Sequence, residues 1–99
     1  MSDKIIKSKI LQILASKLDL NEYKVYLFGS RSSGNSGTWS DYDIGLEGNK
    51  PVSRPIIARI NSDLAESSLP VHVDVVDFAQ VSPDFKSLAL ESAKIWKAR

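Results

Sequence analysis

The chain has no cysteine and only one histidine, His72. Neither a disulfide framework nor a closed thiolate zinc site can be assembled, and one imidazole does not make a multi-histidine centre. Long apolar runs are missing too. Those near the start are too short for a signal-peptide core or a membrane span, so no targeting segment and no membrane role are expected. A dominant charge is likewise absent, since 13 Lys and Arg stand against 12 Asp and Glu for a formal net charge of +1. That balance offers no broad basic footprint for long nucleic acid, although a nucleotide or a short strand end remains compatible with it. The lack of cysteine fits a cytoplasmic setting and fits others as well.

What is present is enough apolar material, 42% of 99 residues, for one compact domain spanning residues 1–99 and not for two cores. Ser2 and Asp3 offer capping oxygens ahead of Ile6, Ile10, Leu11, Leu14 and Leu18, whose spacing predicts an amphipathic helix. Lys4, Lys7, Lys9 and Lys17 take mainly the remaining positions, and a solvated face is the simpler reading of them than an acidic partner or a membrane. Asn21-Glu22 marks the turn into a strand at Val25-Tyr26-Leu27-Phe28, and Tyr42, Ile44 and Leu46 alternate as a second strand. A turn at Glu47-Gly48-Asn49-Lys50 leads to Pro51 and Pro55, then to a helical stripe of Ile56, Ile57, Ile60 and Leu64 ending before Ser67-Ser68-Leu69-Pro70. Val71, Val73 and Val75 alternate as a third strand. Ser82-Pro83-Asp84 starts a helix in which Phe85, Leu88, Ala89 and Ser92 continue one face, and Ile95-Trp96 forms a short last strand or a helix end. This order predicts an α/β (α+β) fold, a small mixed β-sheet with helices packed on it.

The segment Phe28 to Leu46, FGSRSSGNSGTWSDYDIGL, carries the chemistry. Because strand side chains alternate, Asp41 and Asp43 share one face while Tyr42, Ile44 and Leu46 turn to the core. Two carboxylates about 4 Å apart would repel by about 4 kcal/mol at an effective dielectric near 20, a large fraction of a small domain's stability. A cation offsets such a cost, and carboxylate oxygens suit magnesium, a hard ion that keeps waters and shares substrate phosphates. Gly29 would let backbone approach a ligand, Ser30 adds a hydroxyl, and Arg31 adds positive charge. A lone Gly-Ser dipeptide is, however, more often a flexible hairpin loop.

A further carboxylate lies in PVHVDVVDF. Val71, Val73 and Val75 point one way and His72, Asp74 and Val76 the other, as in a half-buried strand. Should that strand lie beside the one with Asp41 and Asp43, three carboxylates converge and two metal ions become plausible. Asp74 reads equally as a solvated strand residue, Asp77 as a strand terminator or helix-entry residue, and His72 as a rim or surface residue.

Gly29-Ser30, ten intervening residues and Asp41-Tyr42-Asp43 together resemble the signature of the DNA polymerase beta-like nucleotidyltransferases, above all their minimal single-domain branch. The family pattern runs roughly Gly-Ser-x-Ala-Arg-Gly, a short variable segment, then Ser-Asp-x-Asp-Leu. Here GSRSSG, NSGTW and SDYDI take those places, with Gly34 and Ser40 matching, and Val73-Asp74-Val75-Val76 fits the context of the family's third carboxylate. Ser32 stands for a small alanine, Ile44 for leucine, and Ser33 where the family often has arginine, whose paired donors a hydroxyl cannot replace. The resemblance implies a polymerase beta-like nucleotidyltransferase fold and magnesium-dependent transfer of a nucleoside monophosphate, AMP from ATP, to a hydroxyl. It implies Asp41, Asp43 and Asp74 as catalytic ligands of two magnesium ions, and Gly29, Ser30 and Arg31 as the residues that bind the triphosphate. It further implies an antitoxin whose acceptor is a tyrosine of a helical HEPN-type toxin, while the sequence leaves a hetero-oligomer and a homodimer both open. The alternative is a binding module that covers such a partner with little transfer activity of its own.

Overall fold

Ser2 precedes the first helix in extended conformation, and its hydroxyl accepts the Ile5 N–H at 3.3 Å, satisfying one of the donors a helix start leaves open. The computed structural model describes residues 1–29 and 41–99. Its elements follow as α1 (Asp3–Ala15), β1 (Tyr23–Phe28), β2 (Tyr42–Gly48), α2 (Arg54–Ala65), β3 (Val73–Asp77), α3 (Pro83–Leu90) and β4 (Lys94–Lys97). Pro55 sits in the first turn of α2 and Pro83 opens α3, positions where a missing N–H costs nothing. Ser82 caps α3 by accepting the Phe85 N–H at 3.1 Å.

The strands make one mixed sheet in the order β3-β2-β1-β4, with β1 antiparallel to both β2 and β4 and β2 parallel to β3. A parallel pair needs a crossover, which α2 supplies. The outer edge of β3 is closed by a side chain. Asn61 of α2 donates to the Val75 carbonyl at 3.0 Å and accepts the Val75 N–H at 2.9 Å, so one amide takes the place of a further strand.

The two sheet faces differ. On the first, Val25, Leu27, Ile44, Leu46, Val73 and Val75 form the main core with Ile6, Ile10 and Leu14 of α1 and Ile60 and Leu64 of α2. Ile10 is fully buried, and truncating it to alanine would cost about 2–5 kcal/mol. Tyr42 is buried on this side and its hydroxyl donates to the Asp3 carboxylate, tying the start of α1 to the start of β2. The second face carries a smaller cluster of Tyr26, Phe28, Phe78 and Ala89. Gly45 lies under the Phe78 ring, which fills the place any Cβ there would occupy.

One expectation changes and another gains detail. Glu47 and Gly48 are not turn residues but the end of β2, paired with Lys24 and Tyr23, because β1 begins earlier than its apolar run suggests. Of Phe85, Leu88, Ala89 and Ser92 only Ala89 is buried, since α3 turns Ala89 and Leu90 inward and leaves Phe85 and Leu88 exposed. Ile95 and Trp96 do form a strand, β4. No helix among the described residues is long and apolar enough to cross a membrane.

Candidate active site

The acidic residues gather where β1 ends and β2 begins. Phe28, the last residue of β1, is the cross-strand partner of Asp43, and the next residue, Gly29, turns with φ +80°. Glycine is required there twice over: side chains rarely adopt that conformation, and any Cβ would collide with the Asp43 carboxylate. The backbone thus passes directly over a carboxylate. Ser30, Arg31, Ser33, Gly34 and Ser40 lie outside the described residues.

The parallel register sets Asp43 opposite Asp74, and the ladder opens with the Tyr42 N–H donating to the His72 carbonyl at 2.9 Å. Paired residues in a sheet point to the same face, so both carboxylates stand on the second face. Asp41 and Asp74 are exposed, whereas Asp43 is half-buried. Burial raises the Asp43 pKa above its ordinary value, the negative charges of Asp74 and then Asp41 raise it further, and the nearby His72 offsets part of this. Like charges are therefore held against one another. Among the described residues no three His, Cys, Asp or Glu side chains are already closed around a point where an ion could sit. The arrangement is a pair, Asp43 with Asp74, with Asp41 adding to its field. An all-oxygen carboxylate set whose half-buried member has its pKa raised by burial and then by its acidic neighbours suits a hard divalent cation.

Aromatic rings floor this end of the second face. Phe78 lies 5.5 Å from Phe28, and Phe85 meets Phe28 edge to face at 6.0 Å. Asp77, three residues beyond Asp74 on β3 and turned to the opposite face, is 4% exposed and has a different task. Its carboxylate accepts the Val52 N–H at 2.6 Å, the Ala79 N–H at 3.0 Å and the Gln80 amide at 2.9 Å, while Gln80 also donates to the Val52 carbonyl. It clips the end of β3 to the segment that enters α2. The Asp-x-x-Gln spacing signals only a local turn, and the contact with Val52 has no sequence signal.

A family model of the nucleotidyltransferase domain matches residues 7–96, nearly the whole chain and all of the acidic segment. The chain belongs to the nucleotidyltransferase domain family. It is 34% identical over 85 residues to the probable protein adenylyltransferase MntA of Haemophilus influenzae, an alignment covering 84% of this chain and 75% of that one. Its fold resembles a chain of the toxin–antitoxin crystal structure with AMP-PNP, with a TM-score of 0.77 and 26% identity over 94% of this chain and 74% of the other. A structure of the tri-AMPylated Shewanella oneidensis HEPN toxin in complex with MNT antitoxin matches with the same TM-score, at 22% identity, over 99% of this chain and 74% of that one, a likeness of fold alone. In this nucleotidyltransferase fold, Gly29 just past β1, Asp43 on β2 and Asp74 on β3 stand at one end of the sheet.

Proposed function

We propose that this nucleotidyltransferase moves AMP from ATP onto a hydroxyl of a helical HEPN-type toxin, a tyrosine in particular, and so acts as its antitoxin in the cytoplasm as a single domain. The observation that carries the reading is the register of Asp43 against Asp74 beneath Gly29, in a chain of this family. The MntA relative and the AMP-PNP-bound toxin–antitoxin likeness support the donor and the kind of partner.

Asp41, Asp43 and Asp74 are the residues that would hold magnesium, which when bound neutralises phosphate charge and acidifies the attacking hydroxyl. Gly29 lets the main chain approach the triphosphate, with Ser30 and Arg31 next in the chain to add a hydroxyl and a positive charge. Asp41 and Asp43 serve the donor side. Asp74 serves the acceptor side, where the hydroxyl oxygen bonds to the α-phosphorus, its proton passes to the Asp74 carboxylate, and the bond to the departing pyrophosphate breaks.

The test is the double substitution Asp41→Asn with Asp43→Asn, assayed by weighing the partner after incubation with ATP and magnesium. Wild type should add the mass of AMP to the partner and the double variant none, with toxin activity restored. A double variant that still silenced the toxin fully would place neutralisation in complex formation, the binding-module alternative.

A further inference from the structure

Beside the acidic pair, the second face opens into a groove of about 380 Å³ walled by Phe28 and Gly29 on one side and by Phe85, Leu88, Glu91 and Ser92 on the other. Phe85 and Leu88 are 42% and 67% exposed, whereas Ala89 beside them is buried in the apolar cluster under α3. The Phe85 backbone is fixed by the Ser82 cap and its ring packs perpendicular to that of Phe28 at 6.0 Å, so a partly exposed aromatic ring is held at the groove wall. Gly29 is the wall this groove shares with the carboxylate end, because the same residue lies against Asp43. A ligand spanning both would carry negative charge and bound cation at one end and a flat apolar body with a polar edge at the other. A nucleotide has that form.

We infer that the groove seats the base of the donor nucleotide, with Phe85 and Leu88 against its face and the Glu91 carboxylate and Ser92 hydroxyl at its edge. This rests on the nucleotide-transfer reading and adds to it the residues that recognise the nucleoside. A carboxylate acceptor at the edge favours a base with an exocyclic amino group. Stacking on an exposed aromatic side chain contributes enough to change affinity by about tenfold.

The experiment titrates the full chain, with magnesium, against ATP and against inorganic tripolyphosphate, which offers the phosphates without the nucleoside. ATP should bind about tenfold more tightly. Phe85→Ala and Leu88→Asp should each erase most of that difference while leaving tripolyphosphate binding within about twofold. Should Phe85→Ala fail to fold by circular dichroism, Leu88→Asp decides, since its side chain is mostly solvent-exposed. Equal affinity of wild type for the two probes overturns the base seat and leaves the phosphate end standing. Binding of neither probe overturns the nucleotide reading and this inference with it. A Leu88→Asp chain that keeps the wild-type preference for ATP but loses its protein partner assigns the groove to protein docking and overturns the inference.

Discussion

Strand β2 carries two carboxylates on the same sheet face, Asp43 near its start and Glu47 near its end, and they are treated in opposite ways. Glu47 is met by the Lys86 ammonium at 2.9 Å and by the Tyr26 hydroxyl at 3.2 Å, and these partners, Lys86 foremost, lower its pKa. Asp43 is set against Asp74 and Asp41, and burial and those charges raise its pKa. One strand therefore holds a carboxylate that the fold has satisfied and a carboxylate that it has left for something else. Asp77 on β3 repeats the first treatment more completely, with donors from Val52, Ala79 and Gln80. Structural acids here receive protein donors, and the acids of the candidate site receive one another.

The sharpest way to break that division is Asp74→Asn. If Asp74 serves the acceptor side, transfer should fall by about 10³-fold while nucleotide affinity stays within about threefold. Titration of the nucleotide alongside single-turnover transfer separates the two quantities. A loss of nucleotide binding as large as that of Asp41→Asn would move Asp74 to the donor side.

The opposite substitution removes an acid that the fold itself uses. Asp77→Ala strands the Val52 and Ala79 N–H groups and should cost about 2–4 kcal/mol in urea denaturation. Asp77→Asn keeps an acceptor oxygen and should recover part of this. The magnesium response at Asp43 should persist in both. An Asp77→Ala chain as stable as wild type would mean the clip contributes nothing.

Alternation made the acidic pair readable from residue order. Tyr42, Ile44 and Leu46 had to face the core, so Asp41 and Asp43 had to face away, and the same rule placed Asp74 opposite Val73 and Val75. The expectation that their strands adjoin was conditional, and the register of β2 with β3 meets it. Long-range contacts were not readable. Nothing local announces that Asp77 will accept from Val52, that Asn61 will close the edge of β3, or that the Phe78 ring will lie on Gly45. The stripe on α3 was legible only in part for a related reason. Helical spacing says which residues share a side and not how deeply each is covered, so it left open that Ala89 is buried while Phe85 and Leu88 stand in the open. Ser30 and Arg31 keep the roles their residue types suggest, as proposals.

The mildest test uses the pH dependence of the two β2 carboxylates in metal-free protein. Asp43 has a folded pKa above its unfolded value of about 3.9, so the folded state binds more protons in that window and stability falls as pH rises through it. Above the folded pKa the cost of the charge is fully present, and Asp43→Asn should raise the melting temperature at neutral pH. Glu47 has a folded pKa below its unfolded value of about 4.3, so it contributes stability above that pH and loses it as pH falls through the folded pKa. Its pair with Lys86 is partly exposed and contributes up to about 1 kcal/mol, so Glu47→Gln should lower stability slightly at neutral pH and flatten the acid limb. Thermal melts from pH 3 to pH 7 should give the two variants opposite signs. Magnesium should add stability to wild type and to Glu47→Gln but little to Asp43→Asn, because a ligand stabilises only the state that binds it. Opposite signs without that magnesium difference would leave Asp43 an unsatisfied acid with no cation to satisfy it, and would end the comparison as an explanation of the site.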